Sequence, residues 1–138
     1  MRRILPDTNV LIDWLNQGRY GEILLAKGAL KHMSSVVLLE LEAGAFSLKD
    51  QRNVQQLAEN FERAGRIVTP ASADYSAGGR VLRQLQAKKG YNLSKAYSLV
   101  NDVLIALSAR RIGATLLTQN ARDFEAIAEM VPLSLVLV

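Results

Sequence analysis

A few residues into the chain, a short apolar run, Ile4-Leu5, stops at Pro6 and gives way to Asp7-Thr8-Asn9. Proline has no N–H to give a sheet ladder, so Pro6 closes a strand. Asp, Thr and Asn are helix-capping side chains, and Val10, Leu11 and Trp14 follow at helical spacing. Few architectures accept a strand that ends in a carboxylate and turns at once into a helix. An open α/β sheet does, and its carboxyl edge is where such sheets place their ligands. Asp7 is therefore expected at that rim, aimed outward.

The remaining pattern agrees. Tyr20–Leu30 reads as a helix, Ser34–Val37 as a short strand or as the serine cap of the next helix, and Leu38–Phe46 as helical. Lys49–Ala64 is the cleanest amphipathic helix, with Val54, Leu57, Ala58, Phe61 and Ala64 on one stripe and Gly65 as its stop. Ile67-Val68 is a brief strand closed by Thr69-Pro70. A helix capped by Ser72 or Asp74 runs to about Lys89, and another, starting near Ser94 or Ser98, runs to Arg111. Ala114–Thr118 is a strand, Ala121–Met130 a helix and Leu133–Val138 a final strand. Short strands alternating with helices predict a parallel sheet covered on both faces. With 138 residues and no linker or repeat, one domain spanning 1–138 is expected.

Three further acids stand in unusual places. Glu40 sits in the apolar stretch Val37-Leu38-Leu39-Glu40-Leu41-Glu42-Ala43-Gly44. It is about 200° around a helix from Glu42, so only one of the two can face a shared pocket. Gly44 leaves the Glu40 face open, which favours Glu40 as the inward acid. Asp102 interrupts Leu99–Leu107, which otherwise reads as a buried helix. A buried carboxylate needs a cation, hydrogen-bond donors or a proton. Thr118-Gln119-Asn120 ends the fourth strand, so Thr118 and Asn120 lie at the same carboxyl edge as Asp7. Asp123 falls in the first turn of the last helix, where a negative charge is favourable in any case.

Convergent carboxylates repel: at 4 Å and an effective dielectric of 20, each pair costs on the order of 4 kcal/mol. A divalent cation or partial protonation removes that cost. With no Cys and a single His, the donor set is all oxygen, which points to Mg²⁺ or Mn²⁺ and away from zinc. Such an ion lowers the pKa of bound water and clamps phosphate oxygens, so in-line hydrolysis of a phosphodiester is the reaction class best matched. Lys and Arg number 17 against 13 acids. With four acids set aside for a site, the remaining surface carries +8, a balance suited to a polyanion. The absence of cysteine excludes disulfides and thiolate metal centres. No apolar stretch approaches the roughly 20 residues that span a bilayer, and a cytoplasmic location is expected.

Together these segments resemble the PIN-domain ribonucleases, specifically the VapC toxins of bacterial and archaeal toxin–antitoxin pairs. The resemblance rests on Leu5–Ile12, Glu40–Gly44, Asn101–Ala106 and Leu117–Phe124, in that order and spacing across nearly the whole chain. It implies an α/β/α sandwich with a five-stranded parallel sheet of order 3-2-1-4-5. It implies an acidic triad of Asp7, Glu40 and Asp102 holding Mg²⁺, supported by the Thr8 hydroxyl. The family often carries an acid where this chain has Asn120, so Asp123 is expected to compensate or the site to hold one metal firmly. An RNA substrate, a VapB-like antitoxin and a homodimer are implied as partners. The hairpin of Tyr20–Leu30 and Leu38–Phe46 is the expected antitoxin groove.

Arg80, Arg83, Lys88, Lys89 and Lys95, with Tyr91 and Tyr97, form a candidate RNA flank with rings for stacking. Arg110 and Arg111 read as charges closing a helix, His32 as a surface or helix-end residue, and Trp14 as packing. Two other functions compete: a non-catalytic RNA- or protein-binding module, and a phosphatase using Asp7 as nucleophile. The second wants another Asp two residues on, where this chain has Asn9.

Overall fold

The computed structural model describes residues 2–138. Its elements, in chain order, begin with β1 (Arg2–Pro6), α1 (Thr8–Gln17), α2 (Gly21–Leu24), β2 (Ala29–Lys31), β3 (Met33–Ser34) and α3 (Ser35–Gly44). There follow α4 (Leu48–Arg63), β4 (Ile67–Val68), α5 (Ser72–Lys89), α6 (Ser98–Arg111), β5 (Thr115–Thr118), α7 (Ala121–Met130) and β6 (Leu135–Leu137). All strand pairs are parallel. β2-β1-β5-β6 form one sheet, and β3-β4 a two-stranded ribbon beside it.

The expected five-stranded sheet is thus present with one strand split. His32 alone separates β2 from β3, and its N–H still donates to the Ile4 carbonyl at 2.9 Å. Read as a single broken strand, β2/β3 restores the expected order. The helix expected over Tyr20–Leu30 is corrected: only Gly21–Leu24 is helical. The chain leaves α2 through Gly28 at φ 83°, a conformation that favours glycine, and Ala29–Lys31 pairs with Arg2–Ile4 instead. His32 therefore sits half-buried at a strand junction, not at a surface or a helix end.

Alternation along the central strands builds both layers. Ile4 and Leu117 face α1 and α2, packing with Val10 and Leu24. Leu5 and Leu116 face the larger core made by Met33, Val37, Phe61, Leu85, Ile105 and Ile127. The Lys49–Ala64 stripe is realised in α4, where Val54, Leu57 and Phe61 are buried. α6 has nine buried residues in fourteen, which makes it the central helix. Ser34 serves both readings offered for it, closing β3 and capping α3 by accepting from Val36 N at 3.1 Å. Neither Ser72 nor Asp74 is the cap of α5. That position is Ala71, and Asp74 reaches back to accept from its N–H at 2.8 Å.

Candidate active site

Because β1 and β5 are parallel neighbours, both deliver their last residues to one rim. Asp7 caps α1 there. Its Oδ1 accepts from Thr8 N at 2.8 Å, and its Oδ2 accepts from the Thr118 hydroxyl at 2.8 Å. The same residue's N–H donates to Leu117 O, so the backbone of β5 holds it in place. Asp7 is only 5% exposed, and Thr118 is fully buried.

Glu40 comes from α3. The Thr8 hydroxyl donates to its Oε1 at 2.6 Å, which draws Glu40 toward the start of α1 while Glu42 stays exposed. Asp102 comes from α6 and is 6% exposed. Asn120 caps α7 and spans two acids, its Nδ2 donating to Asp102 Oδ2 at 3.3 Å and to Asp123 Oδ2 at 3.1 Å. Its backbone N–H is fixed by Thr118 Oγ1 at 3.0 Å.

Electrostatics tie the group together. Burial raises the Asp7 carboxyl above its ordinary value, opposed by the Thr118 and Thr8 donors and reinforced by Glu40. Asp102 is pushed up to about 8, chiefly by burial and then by the charges of Asp7, Glu40 and Asp123. The four acids therefore feel one another across segments as distant in sequence as β1 and α7. Among the described residues none of them forms an ion pair with Lys or Arg. Neutral donors (two threonines, an asparagine and a tyrosine) hold them instead.

The donor chemistry fits a hard divalent cation: carboxylate and hydroxyl oxygens on a half-buried rim with no protein cation among them. Asp7, Glu40 and Asp102 are the candidates to hold one. The described residues contain no group of three acids already gathered to ligand spacing.

Two features escaped the sequence. Tyr91, read there as a ring for base stacking, donates its hydroxyl to Asp123 Oδ1 at 2.7 Å. Its phenol is pushed up to about 12, by burial first and then by Asp123. The second is Gln119, whose Nε2 binds Asp13 Oδ2 at 2.7 Å and Tyr20 Oη at 2.8 Å. It anchors a turn in which Tyr20 takes the left-handed φ of 66°. Neither pairing has a local signal, since the partners are 32, 106 and 99 residues apart. Of the proposed basic flank, Arg80, Arg83, Lys88, Lys89, Lys95 and Tyr97 are exposed, and Lys89 is engaged by Glu129 at 2.6 Å. Arg111 does more than close its helix, binding Asp74 Oδ2 through Nε at 2.7 Å.

The PIN-domain profile matches residues 4–130, and the chain belongs to that family. The fold is that of chains in several solved VapBC assemblies, which bears out the VapC-type resemblance read from the motifs. A chain of VapBC2 from Rickettsia felis, solved bound to a DNA fragment from their promoter, is 27% identical. It matches with a TM-score of 0.69, over 99% of this chain and 98% of that one. A chain of DNA-bound VapBC from Salmonella typhimurium is 24% identical with a TM-score of 0.71, over 99% and 98%. VapBC-5 from Mycobacterium tuberculosis gives 20% and 0.66 over the full length of both chains. No curated protein sequence matches this one.

Proposed function

We propose that the protein is a Mg²⁺- or Mn²⁺-dependent endoribonuclease, the VapC-like toxin of a type II toxin–antitoxin pair. The carrying observation is that Asp7, Glu40 and Asp102, from three separate elements, lie toward one rim of the sheet with no basic side chain paired to them among the described residues. PIN-family membership supports the nuclease reading, and the VapBC assemblies support the toxin reading.

A bound divalent ion would neutralise the scissile phosphate's charge and lower the pKa of the attacking water. The chain's own residues prepare the site for that role. Thr118 and the N-terminus of α1 fix both oxygens of Asp7, and Thr8 orients Glu40. Asn120 holds Asp102 and Asp123 at a common amide, and burial beside Asp7 and Glu40 raises the Asp102 carboxyl, so a bound cation would supply the charge that this acid lacks a partner for. Against a phosphatase reading with Asp7 as nucleophile stands Asn9, which occupies the position where that chemistry wants a second Asp.

A VapB-like antitoxin is the proposed partner. The hairpin groove expected for it does not form, since Tyr20–Leu30 is not a helix. An apolar cavity of about 100 Å³ between α1, α3 and α4 takes its place, lined by Ile12, Leu15, Leu41 and Val54 and reaching Glu40. Phe46 (89% exposed) and Leu48 stand exposed beside it. A homodimer and a cytoplasmic location belong to the same proposal. No described helix is long and apolar enough to cross a membrane.

The test is cleavage of single-stranded RNA by purified protein with Mg²⁺ or Mn²⁺ and with chelator. Asp7→Asn and Asp102→Asn should each abolish cleavage while circular dichroism stays unchanged. Undiminished metal-dependent cleavage by both variants would remove the reading, and tight RNA binding without cleavage in any divalent metal would make the chain a binding module.

A further inference from the structure

A second cavity, of about 240 Å³, lies between α1, β2 and α4, away from the acids. Its apolar wall is Trp14, Leu57 and Phe61, and its polar groups are Lys31, Asn60 and Arg66. No carboxylate lines it. Lys31 and Arg66 form no ion pair or side-chain hydrogen bond among the described residues. Asn60 already accepts through Oδ1 from Gln56 Nε2 at 3.2 Å and Arg63 Nη2 at 2.8 Å, which leaves its amide nitrogen to donate. Each of the three polar side chains here therefore has a donor to offer.

The backbone fixes this arrangement. Lys31 is the last residue of β2, in register with Ile4. Arg66 is pinned by its own N–H on Phe61 O and by Met33 N on its carbonyl, each at 2.9 Å. Lys31 Nζ has no better neighbour than the face of Trp14, 5.6 Å from the ring centroid. Burial, then the Arg66 charge, lowers the Lys31 pKa, as expected of two cations held together without a counter-ion.

We propose that this cavity binds a nucleotide, its phosphate held by Lys31, Arg66 and Asn60 and its base lying along the half-buried Trp14 side of the cavity wall. Arg presents a planar fork to phosphate, and Lys adds a point charge. The volume falls just below the roughly 300 Å³ where drug-sized ligand sites begin, which suits one nucleotide and not a folded polymer. The nucleotide is either free or one unit of a single strand. Lys31 is three residues back along the sheet from the level of Asp7, or about 10 Å at strand spacing. The site is thus separate from the acids and does not depend on the hydrolysis proposed above.

Trp14 is the only tryptophan, so its emission reports any anion that draws Lys31 off the indole. Protein in excess chelator would be titrated with UMP, uridine, inorganic phosphate, a 5′-phosphorylated single-stranded oligonucleotide and a glutamate-rich peptide. Calorimetry serves as the second measurement. UMP or the oligonucleotide should bind saturably, at least tenfold tighter than uridine or phosphate. Arg66→Gln should weaken this at least tenfold without moving the Tm by more than a few degrees, and Asp7→Asn should leave it unchanged. Oligonucleotide binding tenfold tighter than UMP assigns the site to a strand, and equal binding assigns it to the free nucleotide. No saturable nucleotide binding, equal affinity for uridine and UMP, tighter binding of the acidic peptide, or an unaffected Arg66→Gln each overturns the proposal. None of these readouts involves cleavage, so loss of the nuclease reading would leave them intact.

Discussion

The hydroxyl of Tyr91 donates a 2.7 Å hydrogen bond to Asp123 Oδ1, tying the loop after α5 to the first turn of α7. Asn120 holds the other Asp123 oxygen and also reaches Asp102, so one carboxylate connects that loop to the centre of the acidic rim. Hydrogen bonds to charged groups are worth about 1.5–3 kcal/mol.

Tyr91→Phe keeps the ring and removes only that donor. The expected outcome is a Tm lower by roughly 3–8 °C and a several-fold weaker response to Mn²⁺, read as the metal concentration needed to stabilise the protein. Retention of both the melting temperature and the metal response would show that Asp123 is held in place without the tyrosine.

Asn120→Asp exchanges an amide that donates to two acids for a third negative charge. In chelator this should destabilise the fold, because the donor is lost and like charges meet at close range. Added Mn²⁺ should then raise the Tm of the variant more than that of the parent. Thermal melts with and without metal separate the two effects, and a variant as stable as the parent in chelator would contradict the role given to the amide.

Much of the rim was legible in the sequence because its signals are local. Pro6-Asp7-Thr8 announces a strand end and a cap, and an Asp inside a Leu/Ile/Val helix calls for a cation, hydrogen-bond donors or a proton. Helix geometry separates Glu40 from Glu42 and Gly44 favours Glu40 as the inward acid, and the structure has Glu42 exposed and Glu40 turned toward Thr8. What could not be read is set by long-range pairing. Ala29–Lys31 has no strand pattern of its own and becomes a strand because β1 offers an open edge. Tyr91 and Gln119 acquire their roles from partners on other elements, which periodicity cannot reveal. The split at His32 likewise arises because Met33 pairs with Arg66 while His32 stays with Ile4.

Asp74 accepts from Arg111 Nε at 2.7 Å and from Ala71 N at 2.8 Å, joining the start of α5 to the end of α6. The Arg111 hydrogen bond is the main reason its carboxyl lies below the ordinary 3.8. A depressed carboxylate contributes stability that is present above its unfolded value and lost as pH falls through the folded one. Asp74→Asn should therefore melt a few degrees below the parent at pH 6–7, and the gap should shrink as the pH falls below the ordinary carboxylate value of 3.8. A gap that persists in acid would mean that the pair acts through packing and not through charge.

Asp102 has the opposite sign. Its carboxyl is raised from the ordinary 3.8 to about 8, so folding favours the protonated form. The stability this confers is complete below the unfolded value, declines as pH rises from about 4, and is gone once the pH passes about 8. In chelator, Asp102→Asn should match the parent near pH 4 and melt above it at pH 8.5, where the parent must bury a charge beside Asp7 and Glu40. Mg²⁺ or Mn²⁺ should narrow that gap by stabilising the parent more than the variant, which keeps Asp7 and Glu40 but has lost the third carboxylate. Differential scanning across pH 4–9, with and without metal, measures both halves. If the variant is the less stable protein at pH 8.5 without metal, Asp102 is not an electrostatically strained acid, and the case for a cation at this rim loses its physical basis.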